Sequence, residues 1–119
     1  AMTERSYAPY SGVRVGAAAV CADGSVVTGC NVENASTGIG VCAEVTLAAS
    51  MVAGGGGRLV AMAVLAGDGE PISPCGRCRQ FLYEFGGDEM LIETASGVVT
   101  LGQLLPQAFG PEDIEGRAG

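Results

Sequence analysis

Apolar residues along this chain fall into short runs separated by polar and glycine-rich breaks. Val13 to Val20, rich in alanine and valine, and Ser25 to Val32, with three valines, are joined through Asp23-Gly24, which predicts two antiparallel strands about a hairpin turn. Leu59-Val60-Ala61-Met62-Ala63-Val64-Leu65 is apolar throughout and of strand length, the pattern of a strand covered on both faces. Asn34 to Gly40 concentrates Asn, Ser, Thr and Gly and reads as a loop. Cys42 to about Ala53 has helix-forming composition and stops at the run Gly54 to Gly57. Pro74 suits the first position of a second helix, Cys75 to about Phe85, closed by Gly86-Gly87. Met90 to Glu93 and Val98 to Thr100 read as two further short strands, and Leu101 to Leu105 as a last helical turn. Thr3 to Tyr7 makes at most a turn or two of helix before Pro9.

The order β-β-α-β-α-β-β predicts an α/β fold in one domain spanning 1–119, a three-layer α/β/α sandwich around a mixed five-stranded sheet. A chain of 119 residues holds one real core and is too short to divide into domains. Its apolar runs stop well short of the roughly 18 residues of a membrane span, so no membrane partner is expected. The net charge of −7 is the wrong sign for tracking a phosphate backbone, which disfavours nucleic acid and favours a small-molecule substrate. Charged residues make up only 16% of the chain, which fits surface hidden in an oligomer.

Chemistry concentrates in Cys42-Ala43-Glu44 and Pro74-Cys75-Gly76-Arg77-Cys78. Zinc takes four tetrahedral ligands, and a site with three protein ligands leaves the fourth position for water, whose pKa the metal lowers to about 7. Cys42, Cys75 and Cys78 are the expected ligands, because the chain has no histidine and Cys21 and Cys30 sit in apolar strand stretches as small buried hydrophobes. Both ligand clusters open helices, whose N-terminal amides favour thiolates, and the spacing of Cys75 and Cys78 places them on one face of a first turn. Glu44, two residues after Cys42, is poorly placed to coordinate jointly but well placed to serve a zinc-bound water as general acid and base. The odd cysteine count and the lack of a charged-then-apolar leader argue against a disulfide framework and for a cytoplasmic location.

The pairing of C-x-E with P-C-x-x-C, 32 residues separating Cys42 from Cys75, is the cysteine-only form of the zinc nucleobase deaminase signature. Beyond it, Tyr10-Ser11, Val15-Gly16-Ala17-Ala18, Gly29-Cys30-Asn31-Val32-Glu33-Asn34-Ala35-Ser36, Ser73 to Gln80, and Leu104-Leu105-Pro106 with Phe109 resemble the small homotetrameric cytidine deaminases in order and spacing. That resemblance implies hydrolytic deamination of cytidine and deoxycytidine to the uridines and ammonia, in pyrimidine salvage. It further implies that Asn31 and Glu33 bind the ribose hydroxyl, that the backbone at Ala43 meets the base carbonyl, and that Phe109 approaches the base from a neighbouring subunit.

Three positions depart from the usual pattern: Val13 where many members carry an aromatic, Thr37 where many have tyrosine, and Val45 where C-A-E is usually followed by arginine. Arg77 and Arg79 are then the candidates for positive charge beside the thiolates. A blasticidin-S-type deaminase resembles the chain in Thr37-Gly38 and in Ile72 to Gln80, but Asn31-Val32-Glu33-Asn34 is nucleoside-like. A non-catalytic zinc module would require a fourth cysteine on the metal.

Overall fold

β1 (Val15–Cys21) and β2 (Val26–Cys30) form the expected hairpin in a computed structural model that describes residues 2–55 and 57–114, the side chain of Thr37 excepted. Gly24 adopts φ 87° at the turn, and Ser25 donates through both its N–H and its hydroxyl to Asp23 Oδ1. A positive φ costs glycine nothing, so this site accepts little else.

The remaining elements follow in the predicted order: α1 (Ala43–Gly54), β3 (Leu59–Ala66), α2 (Gly76–Gly86), β4 (Leu91–Thr94), β5 (Gly97–Thr100) and the single turn α3 (Leu101–Leu104). The strands lie in the order β2-β1-β3-β4-β5. β3 and β4 run parallel and every other pair is antiparallel, so the five-stranded sheet is mixed. The parallel pair needs a crossover, and α2 supplies it.

Alternation along the strands decides where the core sits. Ala17, Ala19, Met62, Val64 and Ile92 project to one face, where they pack with Leu47 and Met51 of α1 and Leu82 of α2. Small residues on β1 let the large α1 side chains approach the sheet. On the opposite face the Met2–Arg5 turn packs over Gly16, where a Cβ would stand 2.8 Å from the Thr3 nitrogen. The expectation that β3 is covered on both faces holds for one face only. Val60 stays exposed and Ala61, Ala63 and Leu65 are half-buried, because α1 and α2 both join the one core cluster on the other side.

The helix starts differ slightly from expectation. Cys42 (φ −78°, ψ 160°) and Cys75 (φ −66°, ψ 167°) have extended backbone and are the N-caps rather than members of the first turn. Pro74 therefore precedes the cap instead of occupying the first helical position. At the other end of α1, Gly55 (φ 73°) closes the helix by donating to the carbonyls of Met51 and Val52.

Candidate active site

α1 and α2 begin side by side; their caps carry Cys42 and Cys75, and the first turn of α2 carries Cys78. The Sγ atoms of Cys42, Cys75 and Cys78 all lie within 4.8 Å of one another. Zn–S bonds of about 2.3 Å put tetrahedral sulfurs about 3.8 Å apart, so three soft thiolates converging this closely fit zinc in spacing and in chemistry. The other two cysteines stay outside: Cys21 is buried in the core and Cys30 is half-buried at the end of β2. Among the described residues the cluster thus has three protein donors, which removes the fourth cysteine a closed structural site would need.

Glu44 occupies the first turn of α1 and is only 5% exposed, so it is not the solvated helix-start carboxylate that would merely serve the dipole. Burial pushes its carboxyl above the usual range, partly offset by its own backbone N–H and by the Cys78 thiol. Burial likewise raises the Cys42 thiol, which the charges of Cys75 and Glu44 raise further. Cys78 is raised strongly, by burial first and by the Glu44 charge next. Cys75 moves the other way: burial opposes its ionisation, but the Cys78 backbone N–H and the thiols of Cys78 and Cys42 stabilise its thiolate.

A cavity of about 620 Å³ opens over this cluster, with Cys42, Cys75 and Glu44 in its wall. That volume is in the range of small-ligand sites. Asn31, Glu33 and Ala43, to which the resemblance assigns substrate contacts, line the same cavity. Asn31 and Glu33 also organise the loop that forms the facing wall. Asn31 Oδ1 accepts from Ser6 Oγ and from the Val15 N–H at 3.0 Å, while its side-chain Nδ2 donates to the Val13 carbonyl at 2.9 Å. Glu33 Oε1 accepts the backbone N–H groups of Tyr10 (2.9 Å) and Ser11 (3.1 Å), and Oε2 accepts the Ser11 hydroxyl. Those bonds, led by the Ser11 hydroxyl, hold the Glu33 carboxyl below its ordinary pKa.

Phe109 does not join this wall. It is 60% exposed and anchored by its backbone, whose carbonyl accepts the Gln80 side-chain amide at 2.7 Å. The two candidate cations also separate. Arg77 lines the cavity, whereas Arg79 spends its guanidinium on the carbonyls of Pro74 and Leu104. Ser11 and Tyr10 were missed as partners of Glu33, although Tyr10-Ser11 stood out in the sequence; their backbone role becomes visible only once the loop closes on β2.

Residues 1–94 match the cytidine and deoxycytidylate deaminase zinc-binding region family. The chain is 52% identical over 109 residues to a cytidine deaminase of Mycobacterium tuberculosis, covering 92% of this chain and 82% of that protein. A crystal structure of cytidine deaminase from Mycobacterium tuberculosis superposes with a TM-score of 0.89 at 51% identity, covering 92% of this chain and 89% of that one. One from Mycobacterium leprae gives 0.87 at 53% identity, covering 89% of each chain.

Proposed function

The chain belongs to the cytidine and deoxycytidylate deaminases, and we propose from that premise that Cys42, Cys75 and Cys78 hold its zinc while Glu44 moves the protons of the reaction. The protein is a zinc-dependent hydrolase that deaminates cytidine to uridine and ammonia. One observation carries the assignment of residues: three thiols within 4.8 Å of one another beside a buried glutamate in the wall of a nucleoside-sized cavity.

When bound, zinc supplies the Lewis acidity that makes water nucleophilic at neutral pH. Glu44 would take one proton from the attacking water and pass it to the ring nitrogen of the cytosine. It would then take the proton of the hydroxyl newly added to the ring carbon and deliver it to the departing amine, which leaves as ammonia as the carbonyl forms. A general acid and base works best with a pKa near the working pH, and burial shifts Glu44 upward toward it. The Ala43 N–H belongs to a first helical turn, whose amides lack partners within the helix, and in this reading it donates to the base carbonyl. On the sugar side, Asn31 retains one amide hydrogen and Glu33 a free lone pair on Oε2 after their loop contacts, a donor and an acceptor suited to a ribose hydroxyl.

The proposal extends to a homotetramer in which Phe109 completes a neighbouring cavity, supported by its exposure outside its own. It also extends to cytoplasmic pyrimidine salvage, supported by five free cysteines and by a reaction that recycles a nucleoside. The net charge of −7 disfavours a polynucleotide substrate, and among the described residues no helix is long and apolar enough to cross a membrane.

Ultraviolet-monitored turnover of cytidine, deoxycytidine, cytosine and blasticidin S by one zinc-loaded sample tests the substrate. Both nucleosides are expected to react, with free cytosine poor because it leaves the sugar-binding groups unused. Turnover of blasticidin S with cytidine inert would overturn the reading.

A further inference from the structure

The outermost strand of a sheet leaves alternate N–H and C=O groups without a ladder partner. β2 is outermost, and Cys30, opposite Gly16, directs both of its backbone groups away from β1. A single side chain on α1 takes both. The Cys30 N–H donates to Thr46 Oγ1 at 3.1 Å, and the same hydroxyl lies 2.8 Å from the Cys30 carbonyl oxygen and 2.9 Å from that of Ala43, either of which can accept its one proton. Beside it, Gly29 lets the helix backbone sit directly on the strand. A Cβ there would stand 2.5 Å from the Ala43 oxygen, 2.6 Å from the Leu47 nitrogen and 2.7 Å from Thr46 Oγ1, closer than real Cβ contacts come.

This clamp grips the turn that carries the chemistry. Cys42 and Glu44 precede Thr46 by four and two residues, and neither Cys42 nor Cys75 caps its helix through its own side chain. The sulfurs of Cys75 and Cys78 come from the other helix, so the shape of the three-sulfur cluster depends on where α1 begins relative to α2. We infer that Thr46 is a positioning residue for the metal and for Glu44, acting by locking the first turn of α1 onto the free edge of β2 next to Gly29. Reaction rates respond steeply to such placement, since a displacement of about 1 Å can cost roughly a hundredfold.

The inference rests on the deaminase reading for its turnover arm only. Zinc-loaded parent, Thr46→Val, Thr46→Ala and Thr46→Ser are compared for steady-state cytidine deamination and for zinc release to a chromogenic chelator. Valine keeps the shape without the hydroxyl, serine keeps the hydroxyl, and alanine, a strong helix former, serves in place of valine if that variant does not fold. The hydroxyl-free variants should lower kcat about tenfold or more with KM within about twofold, and release zinc about tenfold faster. Thr46→Ser should restore both to within about threefold of the parent. Parent-like kcat and zinc release in the hydroxyl-free variants, a change in only one of the two, or failure of serine to restore them would overturn the inference. A parent inert on cytidine would instead count against the functional reading, and the zinc-release comparison alone would then decide the role of Thr46.

Discussion

Arg79 ties the entrance of α2 to α3, and Arg79→Met cuts that tie. Its Nε donates to the Pro74 carbonyl at 2.8 Å and its Nη1 to the Leu104 carbonyl at 3.0 Å. Hydrogen bonds to charged groups contribute about 1.5–3 kcal/mol each, and because Arg79 is half-buried the lower end applies, giving about 3 kcal/mol for the pair. In a domain of this size that corresponds to a melting temperature lower by about 10 °C. Arg79→Lys keeps the charge but lacks the planar fork, so it can reach one carbonyl and should lose about half as much. Urea unfolding of the zinc-loaded proteins, with zinc content measured alongside, separates this role from that of a charge beside the thiolates. Lysine indistinguishable from the parent would mean that charge alone matters. Methionine within about 0.5 kcal/mol of the parent would refute the two-carbonyl tie.

Replacing Cys42, Cys75 or Cys78 by alanine should abolish zinc binding and lower stability, because metal binding is coupled to folding; full zinc occupancy by elemental analysis of any one mutant would remove that residue from the site. Glu44→Gln should retain zinc and lose about 10²–10⁴ in kcat, and turnover within a few-fold of the parent would return Glu44 to a dipole-stabilising role. The same variant has a pH signature in the metal-free protein. The folded-state pKa of Glu44 is raised, so the stability present while it is protonated is lost as pH rises through that pKa. Glu44→Gln should therefore melt above the metal-free parent at neutral pH, with the gap closing under acid; a gap that widens as pH falls would contradict the burial of an ionising carboxyl. Zinc uptake must displace protons from the raised Cys42 and Cys78 thiols, so dye-monitored titration near neutrality should show proton release and apparent affinity should climb with pH. Phe109→Ala should raise KM more than it disturbs folding, and a fully active monomer by light scattering would remove its role across subunits.

The hairpin, the two crossover helices and their glycine stops were legible in the sequence because each depends on near neighbours: strand alternation, the Asp23-Gly24 turn, the glycines after α1 and α2. The cysteine cluster that could hold a metal was legible for a chemical reason. With no histidine, only three cysteines placed at helix starts could make an open thiolate site, and the structure brings those three together. Tertiary structure alone decided which partner each polar group meets. It divided Arg77 from Arg79, sending one to the cavity wall and the other to two backbone carbonyls. It gave Asn31 and Glu33 the task of holding the loop from Tyr10 to Val15, and it set the Thr46 hydroxyl on the open edge of β2. It also left one face of β3 half-covered, which an unbroken apolar run does not disclose. Periodicity and capping are local properties written in adjacent residues, whereas a hydrogen bond between groups 16 or 25 residues apart exists only after packing of the core has fixed the distance between two elements.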